Sequence, residues 1–97
     1  GTISLPVKDI LYFESDRRKV TVRCVSGREY SFYAKLDAVQ EELKNRDFVR
    51  CHQSYLVNAK KILSVRPGEL ELDGGAVLPV SKHRTKETNE AFLWALR

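Results

Sequence analysis

Residues 48–58 read Phe48-Val49-Arg50-Cys51-His52-Gln53-Ser54-Tyr55-Leu56-Val57-Asn58, and their pattern decides how the rest of the chain is read. Apolar residues hold both ends and polar ones the middle, which predicts a short strand, a tight loop or helical turn, and more strand. The polar middle needs a reason. His52, Ser54 and Asn58 can each bond nearby backbone and shape an awkward turn. Arg50, His52 and Gln53 can also offer donors to phosphates or base edges.

Upstream, Ile10-Leu11-Tyr12-Phe13 is apolar on both faces, and Val20, Val22 and Cys24 alternate with Thr21 and Arg23. This predicts two strands joined by a polar hairpin loop, Ser15-Asp16-Arg17-Arg18. Ser26-Gly27 turns the chain into a third strand, Arg28 to Tyr33. The period then changes: Leu36, Val39 and Leu43 fall at helical spacing, with Glu41, Glu42 and Lys44 opposite, predicting a helix of about ten residues. Asp37 followed by Gln40 has the spacing of a capping box.

Downstream, Lys61–Arg66, Glu69–Leu72 and Val77–Val80 are separated by Pro67-Gly68 and Asp73-Gly74-Gly75, the turn chemistry of a β-meander. After Ser81, a predicted N-cap, Phe92, Leu93 and Leu96 give a terminal helix its apolar face, with Trp94 beside it. The fold class is therefore mostly β with two helices.

The chain has 97 residues, 42% hydrophobic and 31% charged, with only 5 Gly and 3 Pro, which describes one folded domain over residues 1–97. No apolar run approaches the ~20 residues of a membrane helix and no secretory leader is visible, so a cytoplasmic location is expected. Gly1-Thr2 resembles a cleavage or cloning scar, and a longer parent protein is expected.

Catalysis is not expected. Cys51 and His52 are neighbours, and in an extended segment they point to opposite faces, so the imidazole cannot activate the thiol. There is no Gly-rich phosphate loop and no acid–base pair, and Cys24 and Cys51 lack the companions a zinc site requires. Neither a metal nor a cofactor is expected. Both cysteines sit in apolar patterns and read as small buried hydrophobes in a reducing compartment.

Seventeen Lys and Arg against thirteen Asp and Glu leave a net charge of +4. Placement says more than the total. Bases bunch at Arg17-Arg18-Lys19, at Arg50 with His52, at Lys60-Lys61, and at Lys82-His83-Arg84 with Lys86. Three of these groups lie at breaks between predicted elements. If the Arg17–Lys19, Arg50–Ser54 and Lys82–Arg84 loops converge, they supply cations for phosphates, with His52, Gln53, Lys82 and Arg84 available to base edges. A non-catalytic protein-interaction module with a basic surface is the alternative from residue chemistry alone.

Asp9-Ile10-Leu11-Tyr12-Phe13-Glu14-Ser15, then Leu36 leading a helix, then the 48–58 stretch, then Ile62, then Leu78-Pro79-Val80-Ser81-Lys82 together resemble the LytTR family of bacterial DNA-binding domains. The resemblance implies an elongated β fold that grips double-stranded DNA with loops instead of a recognition helix. It also implies a response-regulator output domain preceded by a receiver domain, with two copies meeting on a direct-repeat promoter site. Carried over residue by residue, it implicates Arg17, Arg18 and Lys19 after the first strand, Gln53 after the motif His, and Lys82 after Val80-Ser81. Gln53 stands where many relatives carry Arg or Asn, and a Gln suits adenine. Glu14 reads as an internal partner for an Arg or a backbone amide, and Arg50 either as that partner or as a phosphate contact. Ser54 and Asn58 read as loop-shaping. The isolated domain is expected to be a monomer, its apolar residues being consumed by one small core.

Overall fold

The structure, a computed structural model, describes residues 4–97. Its strands are β1 (Ile10–Asp16), β2 (Lys19–Cys24), β3 (Glu29–Tyr33), β4 (Phe48–His52), β5 (Tyr55–Asn58), β6 (Ile62–Arg66), β7 (Glu69–Leu72) and β8 (Val77–Pro79). Helix α1 (Leu36–Glu42) follows β3, and α2 (Thr85–Ala95) closes the chain. The first five strands form one antiparallel sheet in the order β3-β2-β1-β5-β4, and the last three form the predicted meander. The molecule extends 38 × 25 × 24 Å, longer along one axis as the family resemblance implies.

Successive residues of a strand face opposite sides of a sheet, and at β5 both sides of the larger sheet are covered, whereas β3 is largely exposed. Leu56 of β5 joins Ile10, Phe13, Val20, Val22 and Leu36 in a core under α1. The next residue, Val57, joins Val49, Cys51, Ile62, Leu70, Leu72, Leu78 and Val80 in a second core against the smaller sheet and α2. Two cores replace the single one expected from the sequence. A register shift between Ile10 and Tyr12 lets Ile10 and Phe13 enter the same core.

Four local expectations are corrected. Helix α1 spans seven residues, and Asp37 and Gln40 form no capping box, because both side chains bind Arg50. Ser81 makes no side-chain cap. Its carbonyl instead accepts from the amide of Arg84 and the hydroxyl of Thr85 across a 3-10 turn, Lys82–Arg84. The inward face of α2 is Thr88, Ala91, Phe92 and Ala95, while Leu93, Trp94 and Leu96 are exposed. The apolar residues are thus not all consumed, which removes the reason given for a monomer.

Candidate nucleic-acid interface

Antiparallel pairing brings the basic loops to one end of the molecule. The β1–β2 hairpin closes over Arg17-Arg18, between the paired residues Asp16 and Lys19, and β4–β5 closes over Gln53-Ser54, between His52 and Tyr55. Because β1 and β5 are neighbours running in opposite directions, the end of one lies beside the start of the other. The amide of Ser15 donates to the carbonyl of Ser54 at 2.9 Å and joins the two tips. The third loop is fastened to the same place, since the amide of Ser81 donates to the carbonyl of Cys51 at 2.9 Å. On the other flank the amide of Ala34 donates to the carbonyl of Arg18 at 3.0 Å, which brings the start of α1 to this end.

Arg17, Arg18, Lys19, Gln53 and Lys82 are exposed there, and His52 and Arg84 are half-buried. Arg17 has φ 60°, a left-handed conformation that costs a side-chain-bearing residue about 1–2 kcal/mol. His52 is oriented from within: its Nδ1 accepts from the amide of Ser54 at 3.0 Å, and its ring packs 5.6 Å from that of Tyr55. The accepting Nδ1 puts the proton of the neutral ring on Nε2, leaving one N–H to donate. Arg84 lies 3.7 Å from Glu87.

Arg50 is corrected. It is only 6% exposed, and it meets neither Glu14 nor the surface. Its Nη1 donates to Asp37 Oδ1 at 2.7 Å and Gln40 Oε1 at 2.9 Å, while Nε donates to the carbonyls of His52 and Gln53, both at 3.1 Å. Nη2 gives Gln53 a second bond at 2.5 Å. The Arg50 hydrogen bond, followed by the charge of Arg50 and the weaker fields of Arg84 and Lys35, holds the Asp37 carboxyl below its ordinary range. Glu14 does have an internal partner, Arg23, at 3.2 Å.

Asn58 shapes its surroundings as read from the sequence, donating to the carbonyl of Ile10 at 2.9 Å and accepting from the amide of Lys60 at 3.1 Å. Ser54 contributes through its backbone. Cys24 and Cys51 are buried free thiols, and burial pushes the Cys51 thiol up to about 12. Lys60-Lys61 stands apart from the Arg17–Lys19 and Lys82–Arg84 bases and lines a groove with Lys8 and Arg46. It follows β5, at the end of the sheet where β1 begins, and Lys60 lies 3.6 Å from Asp47.

Arg66 and Asn89, not singled out from the sequence, line a shallow groove with Lys82, Thr85 and the Pro67-Gly68 turn, where Arg66 is paired with Glu69 at 2.7 Å. The only available signal was that Arg66 opens a turn. The meander places that turn beside Lys82 by a bond from the amide of Val80 to the carbonyl of Gly68 at 3.0 Å. Among the described residues, no helix is long and apolar enough to cross a membrane.

A β-rich domain that gathers a basic hairpin tip, a polar hairpin tip and a basic helical turn at one end belongs to a class of fold that can present cations to a polyanion. Residues 1–93 match the family model of the LytTr DNA-binding domain, and the chain belongs to this LytTR family. It is 28% identical over 90 residues to the sensory transduction protein LytT of Bacillus subtilis (strain 168), a match covering 88% of this chain. The chain spans only 37% of that relative's length. It also superposes on a LytTr DNA-binding domain from Bacillus cereus with a TM-score of 0.81, at 24% identity, covering 92% of this chain and 85% of the other. DNA binding in transcription regulation is therefore the role of the domain.

Proposed function

We propose that the domain is the output module of a cytoplasmic response regulator and binds double-stranded DNA at direct-repeat promoter sites through its converged loops. Gln53 reads a base edge; Arg17, Arg18, Lys19 and Lys82 neutralise phosphates; His52 and Arg84 add donors at the margin. Arg50, grouped with these residues on sequence grounds, is left out because its guanidinium is spent internally. The observation carrying this reading is the pair of backbone bonds, Ser15 to Ser54 and Ser81 to Cys51, that gathers three separate loops. A single copy in solution and two on DNA complete the proposal. A receiver domain preceding this one would control the pairing.

Titration of a duplex at several salt concentrations tests the reading. Contacts to about five to eight phosphates give a log–log slope of roughly −4 to −7. Absence of any affinity tighter than ~100 μM at low salt would overturn the reading in favour of a protein-interaction module. Selection from a random DNA library should return a direct repeat. Gln53→Ala should cost about 1–3 kcal/mol on the selected site and little on a scrambled one, whereas Arg18→Ala should weaken both alike.

A further inference from the structure

We infer that Arg50, together with Gln40 and Asp37 of α1, is a positioning device for the turn that presents Gln53, so that a helix outside that turn sets how well the base edge is read. The inference rests on the base-reading role proposed for Gln53.

A fork that only pinned α1 to the sheet would need only the bonds to Asp37 and Gln40. Arg50 spends its other donors on the turn itself: Nε divides between the carbonyls of His52 and Gln53, and Nη2 returns to Gln53. The guanidinium plane thus fixes two successive peptide units of a two-residue loop against a helix. Planar, forked donors suit this work, and a lysine ammonium could not span both sets of acceptors. The burial is uneven in an informative way. Arg50 has 7% of its side chain exposed and Asp37 has 85%, so the charge inside the fold is neutralised by a carboxylate largely in water.

Fixing a turn before binding removes its ordering cost from the binding step, and a side chain held in one pose discriminates better between bases. His52 restrains the same loop independently through the amide of Ser54. Both backbone flanks of Gln53 are therefore held while its exposed side chain is left to the groove.

The test is a double-mutant cycle in the whole domain, measuring affinity for the selected duplex and for a scrambled one alongside thermal melting. Arg50→Lys should lower the selected-to-scrambled affinity ratio about tenfold with the scrambled affinity and the salt slope unchanged, and should add nothing in a Gln53→Ala background. Gln40→Ala, a neutral change on α1 that keeps the Asp37 pair, should lower the ratio severalfold and covers the case in which Arg50→Lys does not fold. Equal losses on both duplexes, or an unchanged ratio in Gln40→Ala, would overturn the device and leave Arg50 as a fold staple. Full additivity with Gln53→Ala would do the same. If Gln53→Ala alone leaves the ratio unchanged, the base-reading role fails and the inference falls with it. Failure of the device alone instead leaves the Gln53→Ala effect intact.

Discussion

The amide of Ser15 bonds to the carbonyl of Ser54 one step beyond the last paired residues of β1 and β5, Glu14 and Tyr55. The spacing between the Arg17-Arg18 tip and the Gln53-Ser54 tip is thereby set by sheet register, about 4.8 Å per neighbouring strand, instead of by loop flexibility. The tip proposed to grip phosphate and the tip proposed to read a base are held side by side by ladder bonds, so a change to either loop sequence should leave their separation intact.

Arg17 holds its left-handed conformation against its own Cβ. Arg17→Gly removes a cost of about 1–2 kcal/mol and adds back about 0.5–1 kcal/mol of backbone entropy. The variant should be as stable as the parent or more so, by up to ~1.5 kcal/mol in urea unfolding, while its affinity for any duplex falls. A loss of stability would show that the Arg17 side chain supports the hairpin.

Bases at the two ends of the sheet should behave differently. Lys82→Ala should weaken binding to selected and scrambled duplexes alike and reduce the salt slope by about one. Lys61→Ala, among the bases that follow β5, should leave both nearly unchanged. Equal slope changes for the two variants would mean that DNA reaches both ends.

The acid limb of stability should report Asp37. Its carboxyl is held below the ordinary value of 3.8, so its contribution is fully present above that value and is lost as pH falls through the lower folded-state value. Carboxyl titration followed by NMR should place the Asp37 midpoint below 3.8. Asp37→Asn should flatten the stability profile there.

Cys51, its thiol pushed up to about 12 by burial, should resist alkylation in the native domain at pH 8, where about one thiol in ten thousand is ionised. Cys24, also raised, should follow it. Both should react on unfolding in urea. Rapid native labelling of Cys51 would reveal an opening of the core absent from this structure.

Much of the fold was legible because its signals are local. Alternation in residues 20–24, the Pro67-Gly68 and Asp73-Gly74-Gly75 turns, and the change of period at Leu36 each act within a few residues. The misreadings came where a local motif was claimed by a distant partner. Asp37 and Gln40 have capping-box spacing but face an arginine thirteen and ten residues away, and nothing local announces that competition. The apolar face of α2 was misjudged because Thr88, a residue of polar type, packs fully inside, with its hydroxyl bonded to the carbonyl of Arg84 at 2.8 Å. Candidate site residues could be named from loop composition and family resemblance, yet their convergence is a property of strand order, which no single loop encodes.

The strand leaving the Gln53-Ser54 turn sends Leu56 into one core and Val57 into the other. Either core can breathe while the other still holds β5, so its amides should exchange with solvent only when the whole domain opens. The turn proposed to read the base should therefore sit on the part of the molecule that comes apart last. A domain built this way would not search for its operator by melting the element proposed to do the reading. New operator preferences must arise by exchanging side chains at a rigid tip, which lets specificity drift while the frame stays the same.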